Sequence, residues 1–246
     1  MKAILRKLCL VVFIAALILF IIACYERLVN KRSAARMESL FASAKGEEFL
    51  PALEVNPDTA ALLEYGEGTR MFVPSCKDNE YYLTHDFFGD RTSAGCAFID
   101  ARCAVKPFGR HTLVHGHNMR TGEVFGALHR FIYKSNVAKT PFIRFDTPTE
   151  KRTYVIFAVL EISLKPNHPA YFKIDRLEFE SDEEFAGFIN EIQAASKFDF
   201  GVPVDARDTL LSLSTCLDDY PDGRLIVTAR ALRSGETTAD LESYFK

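Results

Sequence analysis

Seven short runs with strand character limit the fold of this 246-residue chain more than any other feature. They lie at 70–73, 96–100, 111–115, 142–145, 152–163, 209–215 and 224–232, separated by clusters of Gly, Pro, Asn and Asp. β-Branched and aromatic side chains fit a pleated surface, and the intervening residues reverse the chain. A mainly β domain follows, a closed or nearly closed β-barrel with inserted helices. No internal repeat or low-complexity stretch breaks the pattern, so one domain accounts for the length.

Helical signals are fewer. Ser181-Asp182-Glu183-Glu184 reads as a capping box, and Phe185, Phe188, Ile189 and Ile192 place one apolar face on a helix from Ser181 to about Ser196. A second helix is expected over 123–133. Asn56-Pro57-Asp58 reads as a helix start, with Asn56 as N-cap, Pro57 at the first helical position, and Gly66 and Gly68 ending the helix. Ala34, Met37, Leu40 and Phe41 recur at helical spacing from Ser33 to about Lys45, as on an amphipathic stalk or lid.

The first residues concern the compartment. Lys2, Arg6 and Lys7 precede an uncharged apolar run from Leu8 to Tyr25. As a helix that run is about 27 Å long at ~1.5 Å per residue, close to the ~30 Å of a bilayer core. The leading basic residues favour a cytoplasmic N-terminus and an extracytoplasmic domain, although Arg27, Lys31, Arg32 and Arg36 follow the run. Ile21-Ile22-Ala23-Cys24 also resembles a lipobox, which would leave a lipidated Cys24. Either processing keeps the domain outside and tethered. The expected division is a tip and anchor over 1–32, a helical stalk with N-terminal helices over 33–68, and the β domain over 69–246.

With 30 basic and 33 acidic residues the chain lacks the electrostatic footprint of a nucleic-acid binder. Six cysteines stand at 9, 24, 76, 96, 103 and 216 without a C-x-x-C pair or zinc spacing. If Cys216 is a free thiol, Cys76, Cys96 and Cys103 can form at most one bridge. They can equally be small apolar fillers.

The C-terminal hairpin carries the chemistry. Over 209–215, Leu211 and Leu213 share one face while Ser212, Ser214 and Cys216 share the other, suiting a strand between a core and a groove. The turn-rich stretch 217–223 returns the chain through Arg224, so Cys216 and Arg224 face each other at the hairpin mouth, where opposed Cβ atoms are about 5 Å apart. A thiolate can attack a carbonyl, and a guanidinium can meet the oxyanion that forms. His115-Gly116-His117-Asn118-Met119 closes another strand, its Gly allowing a turn that aims a ring into the same groove. Nucleophile, general acid and electrostatic stabiliser would then converge.

Ser212-Leu213-Ser214-Thr215-Cys216, followed after seven residues by Arg224-Leu225-Ile226-Val227, resembles the Leu-Ser-Thr-Cys and downstream Arg signature of class B sortases. Val114-His115-Gly116-His117-Asn118-Met119 is similar to their Gly-His-x-Met element. Asn79-Glu80-Tyr81-Tyr82-Leu83, Asp86-Phe87-Phe88-Gly89, Gly95 and Phe98-Ile99-Asp100 resemble the segment before their histidine. The resemblance covers roughly residues 50–232 and implies His117, Cys216 and Arg224 as the catalytic set, with Ser214 contacting substrate. His115 receives no role. It also implies a sortase-like barrel with a long helix before the cysteine strand. Where many members carry Gly-Trp after the Asn-Pro-Asp step, this chain has Ala60-Ala61-Leu62-Leu63, and it contains no Trp.

The activity so implied is transpeptidation. A C-terminal sorting motif of a secreted protein is cleaved through a thioacyl-enzyme and passed to a cell-wall or pilin amine, with no cofactor. The alternatives are an inactive membrane-tethered binding module of the same fold and a cysteine protease using water as acceptor.

Overall fold

The structure, a computed structural model, describes residues 2–44 and 49–246. Its strands are β1 (Thr59–Tyr65), β2 (Thr69–Pro74), β3 (Phe98–Ile99), β4 (His111–His115), β5 (Phe142–Asp146), β6 (Thr153–Ser163), β7 (Leu210–Leu217) and β8 (Gly223–Ala231). They form one sheet in the order β2-β1-β5-β6-β8-β7-β4-β3. Neighbours run antiparallel except β4 and β7, which are parallel. A parallel pair needs a long crossover, and the chain between them supplies β5, β6 and a helix. Ser75 and Ile99 form a parallel bridge across the two ends of the sheet, so it curls into a nearly closed barrel. The expected mainly β architecture is therefore observed, with several strands within a residue or two of their expected ranges. The run at 96–100 shrinks to Phe98–Ile99.

The stretch after Asn56 is a strand, not a helix. Asn56 instead ends the preceding helix α2 (Phe49–Val55) and makes a turn, its Oδ1 accepting from Asp58 N at 2.9 Å. Its Nδ2 donates to Tyr82 Oη and Phe87 O. The misleading signal was the Asn56-Pro57-Asp58 step, which makes a turn here, and the unbroken apolar run Ala60–Leu63 did not reveal the strand that follows. Ala61 and Leu63 face the main core, whereas Leu62 joins a second cluster with Leu40, Ala52, Phe72 and Phe87. A strand buried on both faces loses its alternation and reads like a helix.

Helix α1 runs without a break from Lys2 to Ser43, so anchor and stalk are one element across the expected 32/33 division. The expected helix end at Lys45 lies outside the described residues. Met37, Leu40 and Phe41 pack on the second cluster, and the Phe41 ring stacks on Phe72 at 4.9 Å. Arg36 lies over the Phe88 ring and pairs with Asp90. Upstream, Ile4 to Leu28 projects free of the barrel, and among the described residues this is the helix long and apolar enough to cross a membrane.

The expected helix over 123–133 is a 3-10 helix, Gly126–Ile132, followed by α4 (Lys134–Lys139). Phe125, Leu128 and Phe131 are all buried, and their period of three suits three residues per turn. The long helix after α3 (Tyr81–Thr84) and α4 is α5, Asp182–Ala195, burying the expected Phe185, Phe188, Ile189 and Ile192. Ser181 Oγ accepts from Glu184 N at 3.1 Å, while the Glu184 carboxylate reaches Glu180 N rather than Ser181 N. The capping box is thus displaced by one residue.

Candidate active site

The face of β7 bearing Ser212, Ser214 and Cys216 changes environment along its length. Ser212 is fully buried, its hydroxyl bonded to His111 Nε2 and Thr228 Oγ1, and the His111 ring packs on Phe188 of α5. Burial holds His111 down to about 4, so this buried chain is neutral. Farther on, Ser214 lines an open cleft of about 550 Å³, and Cys216 is exposed at its rim. The expected groove therefore opens only over the last residues of the strand.

Cys216 and Arg224 are direct partners in the β7–β8 ladder, one step from the closing Leu217–Gly223 pair. The turn needs Gly223 for space, because a Cβ there would lie 2.3 Å from Leu217 O. Arg224 is half-buried, donates from Nη1 to Gly223 O at 2.8 Å, and lines the same cleft.

His117 lies beyond the last ladder pair of β4, yet the chain there stays stitched to β7. Gly116 N donates to Ser214 O at 3.1 Å, Thr215 Oγ1 donates to Gly116 O at 2.8 Å, and Asn118 Nδ2 donates to Cys216 O at 3.1 Å. Gly116 serves by size rather than by unusual φ, since a Cβ would sit 2.7 Å from the Phe125 ring. The result sets the His117 and Cys216 side chains close enough for each to influence the other's protonation.

The His117 ring is fixed from its other edge by Leu83 O, 2.9 Å from Nε2. A carbonyl can only accept, so Nε2 carries a proton and Nδ1 is the nitrogen left to exchange one with the thiol. The neighbouring His117 holds the Cys216 thiol below its ordinary range against the opposing effect of burial, and the Arg224 charge assists. His117 is raised, first by Cys216 and then, against burial, by the Leu83 carbonyl. Opposite shifts on neighbouring partners favour a thiolate–imidazolium pair.

Sequence reasoning missed Leu83, for which no signal existed because any residue type offers the same carbonyl. It also left His115 and Asp100 without function, although both line the cleft. A second cavity of about 780 Å³ adjoins the hairpin loop, lined by Asn118, Met119, Asp218 and Asp219 among others. Cys76, Cys96 and Cys103 are free thiols, and burial raises Cys76 and Cys103 to about 11. Among the described residues no three His, Cys, Asp or Glu side chains converge as metal ligands.

No family model matches the chain. It is 28% identical over 156 residues to sortase B of Listeria monocytogenes, covering 63% of this chain and 61% of that protein, less than two thirds of its length. Sortase B of Staphylococcus aureus is 27% identical over 184 residues, 73% of this chain and 72% of the relative. A Bacillus anthracis sortase B in complex with AAEK1 superposes with a TM-score of 0.72 at 25% identity, covering 85% of this chain and 98% of that one. A sortase B complexed with triglycine gives 0.73 at 24% identity, covering 83% and 99%. In sequence and in fold, with this barrel and this helix before the cysteine strand, the chain is similar to class B sortases.

Proposed function

We propose that the chain is a membrane-anchored cysteine transpeptidase that cuts a C-terminal sorting motif in secreted proteins and transfers the new carboxyl end to an amine. The observation that supports this best is the convergence of His117, Cys216 and Arg224 on one cleft, with Arg224 in register beside the thiol. In this reading the Cys216 thiolate attacks the carbonyl before the scissile bond, and the Arg224 guanidinium meets the oxyanion. Protonated His117 gives its Nδ1 proton to the leaving amine as the C–N bond breaks, leaving a thioester and a neutral imidazole. An incoming amine attacks the thioester and returns a proton to His117, and collapse restores the thiolate and forms the new amide. Ser214, in the cleft wall, contacts the sorting peptide.

A cell-wall precursor or pilin amine is the acceptor class in this reading. The capture of a related sortase B with triglycine, whose N-terminus is a free amine, supports such an acceptor, and the second cavity beside Asp218 offers it a separate approach. The apolar part of α1 spans the membrane, with the barrel outside. Residues 1–32 act as tip and anchor, 33–68 as the connecting portion and 69–246 as the catalytic domain.

The test uses the full chain in detergent with sorting-type pentapeptides and mass spectrometry. A covalent adduct of the peptide's N-terminal part on Cys216, discharged faster by an added amine than by water, is the expected result. Discharge by water alone would favour a protease, and a folded chain forming no adduct on any peptide would favour a binding module.

A further inference from the structure

Helix α1 passes unbroken from the apolar span into the barrel, which fixes how far the barrel stands from the bilayer. The uncharged run ends at Tyr25, an exposed aromatic where such rings border a headgroup layer. A bilayer of ~40–45 Å with a ~30 Å hydrocarbon core has a headgroup layer about 5–8 Å deep on each side. At ~1.5 Å per residue Asn30 stands about 7.5 Å beyond Tyr25, at the outer edge of that layer. Asn30 already touches the barrel there, its Nδ2 donating to Ser93 Oγ at 3.3 Å. Farther along, Arg36 pairs with Asp90 and lies 3.9 Å from the centre of the Phe88 ring. These contacts tie the loop from Phe88 to Ser93 to the helix just above the membrane surface.

The same stretch is basic. Between residues 26 and 37 stand Arg27, Lys31, Arg32 and Arg36 against one acid, Glu26. Arg36 is taken up by Asp90, but Arg27, Lys31 and Arg32 are exposed and form no ion pair with a described residue. Arg91, on the barrel loop two residues before Ser93, is exposed and unpaired in the same way. Arg27 and Lys31 are one helical turn apart, where like charges repel. Basic residues beyond the span also oppose the orientation that Lys2, Arg6 and Lys7 favour. Neither the helix nor the topology gains from these charges, and at this height the material beside them is the headgroup layer.

We infer that Arg27, Lys31, Arg32 and Arg91 form a basic collar that binds anionic phospholipid headgroups and, through the Asn30 and Arg36 contacts, holds the barrel against the membrane surface. The inference rests on the reading of α1 as a membrane span. A basic side chain at an anionic surface contributes about 5-fold in association, or ~1 kcal/mol at ~1.36 kcal/mol per decade. Salt weakens the attraction, because the Debye length is ~3 Å at 1 M against ~10 Å at 0.1 M.

The test reconstitutes the full chain in phosphatidylcholine vesicles holding a trace of spin-labelled phosphatidylglycerol or spin-labelled phosphatidylcholine. The motionally restricted fraction of each label gives the ratio of their association constants. We expect phosphatidylglycerol to be favoured at least ~5-fold at low salt, and the ratio to fall toward one in ~1 M NaCl. Combining Arg27→Gln, Lys31→Gln, Arg32→Gln and Arg91→Gln should lower the ratio to ~2-fold or less with an unchanged Tm, since all four side chains are exposed. Lys2→Gln, Arg6→Gln and Lys7→Gln together, at the other end of the span, should leave at least about half of it. Arg91→Gln alone reads whether the barrel itself reaches the headgroups and should lower the ratio about 2-fold; no change there would overturn the barrel's part in the collar. A collar variant that keeps the parent's ratio would overturn the inference. Release of the parent from the vesicles by an alkaline carbonate wash would overturn the membrane-span reading beneath it, whereas a parent that withstands the wash and shows a ratio near one would overturn the inference alone.

Discussion

Arg224 is the residue most easily confused with a surface charge, and its replacement separates the two cases. Its place beside Cys216 is set by the β7–β8 register, and one N–H is already committed to Gly223 O, which orients the remaining guanidinium donors. Lys at this position keeps the charge but offers a single ammonium on a flexible stem, without the planar fork. Loss of one oxyanion donor costs about 10²–10³ in rate, which is about 2.7–4.1 kcal/mol at ~1.36 kcal/mol per decade. Arg224→Ala should lose more than Lys, because it also removes the positive charge that favours the thiolate. Stability should hardly respond. A partly exposed side chain away from the core changes it by about 0.5 kcal/mol, about 1–2 °C in Tm for a domain of this size. Turnover of a sorting peptide and a thermal melt on each variant read both quantities. A Lys variant with near wild-type turnover would remove Arg224 from the catalytic set, and a collapse of Tm in both would make its role structural.

His117→Ala removes the largest influence lowering the Cys216 thiol, so the midpoint of iodoacetamide alkylation against pH should move up; an unmoved midpoint would show that the pair is not coupled. In the intact chain transpeptidation should rise as Cys216 ionises below the ordinary thiol range and fall as His117 loses its proton above the ordinary imidazole range. Gly95→Ala places a Cβ 2.3 Å from Tyr82 O and 2.9 Å from Leu83 O at a φ of +57°, so it should displace the carbonyl that holds His117. Turnover should fall at least ~10-fold with a stability loss of about 1–3 kcal/mol, and full activity would refute the role given to Leu83. Arg230 is fully buried and donates from both Nη atoms to Glu236, so Glu236→Ala should cost roughly 3–5 kcal/mol in urea unfolding; a loss under 1 kcal/mol would mean that the guanidinium finds other acceptors.

By itself the sequence determined the β class, the face of α5, the limits of β4 and the facing of Cys216 and Arg224. Each depends on local information: side-chain periodicity, a cap, or a turn whose length sets the register of its own hairpin. Three things were decided only by tertiary structure. β1 was hidden because its two faces meet different cores, one inside the barrel and one under α1, which erases the period-two signal. The turn at Gly126–Ile132 became 3-10 because Phe125, Leu128 and Phe131 had to enter one core at a spacing of three. The setting of His117 was the least legible, since it arises from bonds spanning long sequence separations: Thr215 to Gly116, Asn118 to Cys216, and the ring to Leu83. A backbone carbonyl leaves no mark on residue type, so its partner can be named only after the chain has brought the two together.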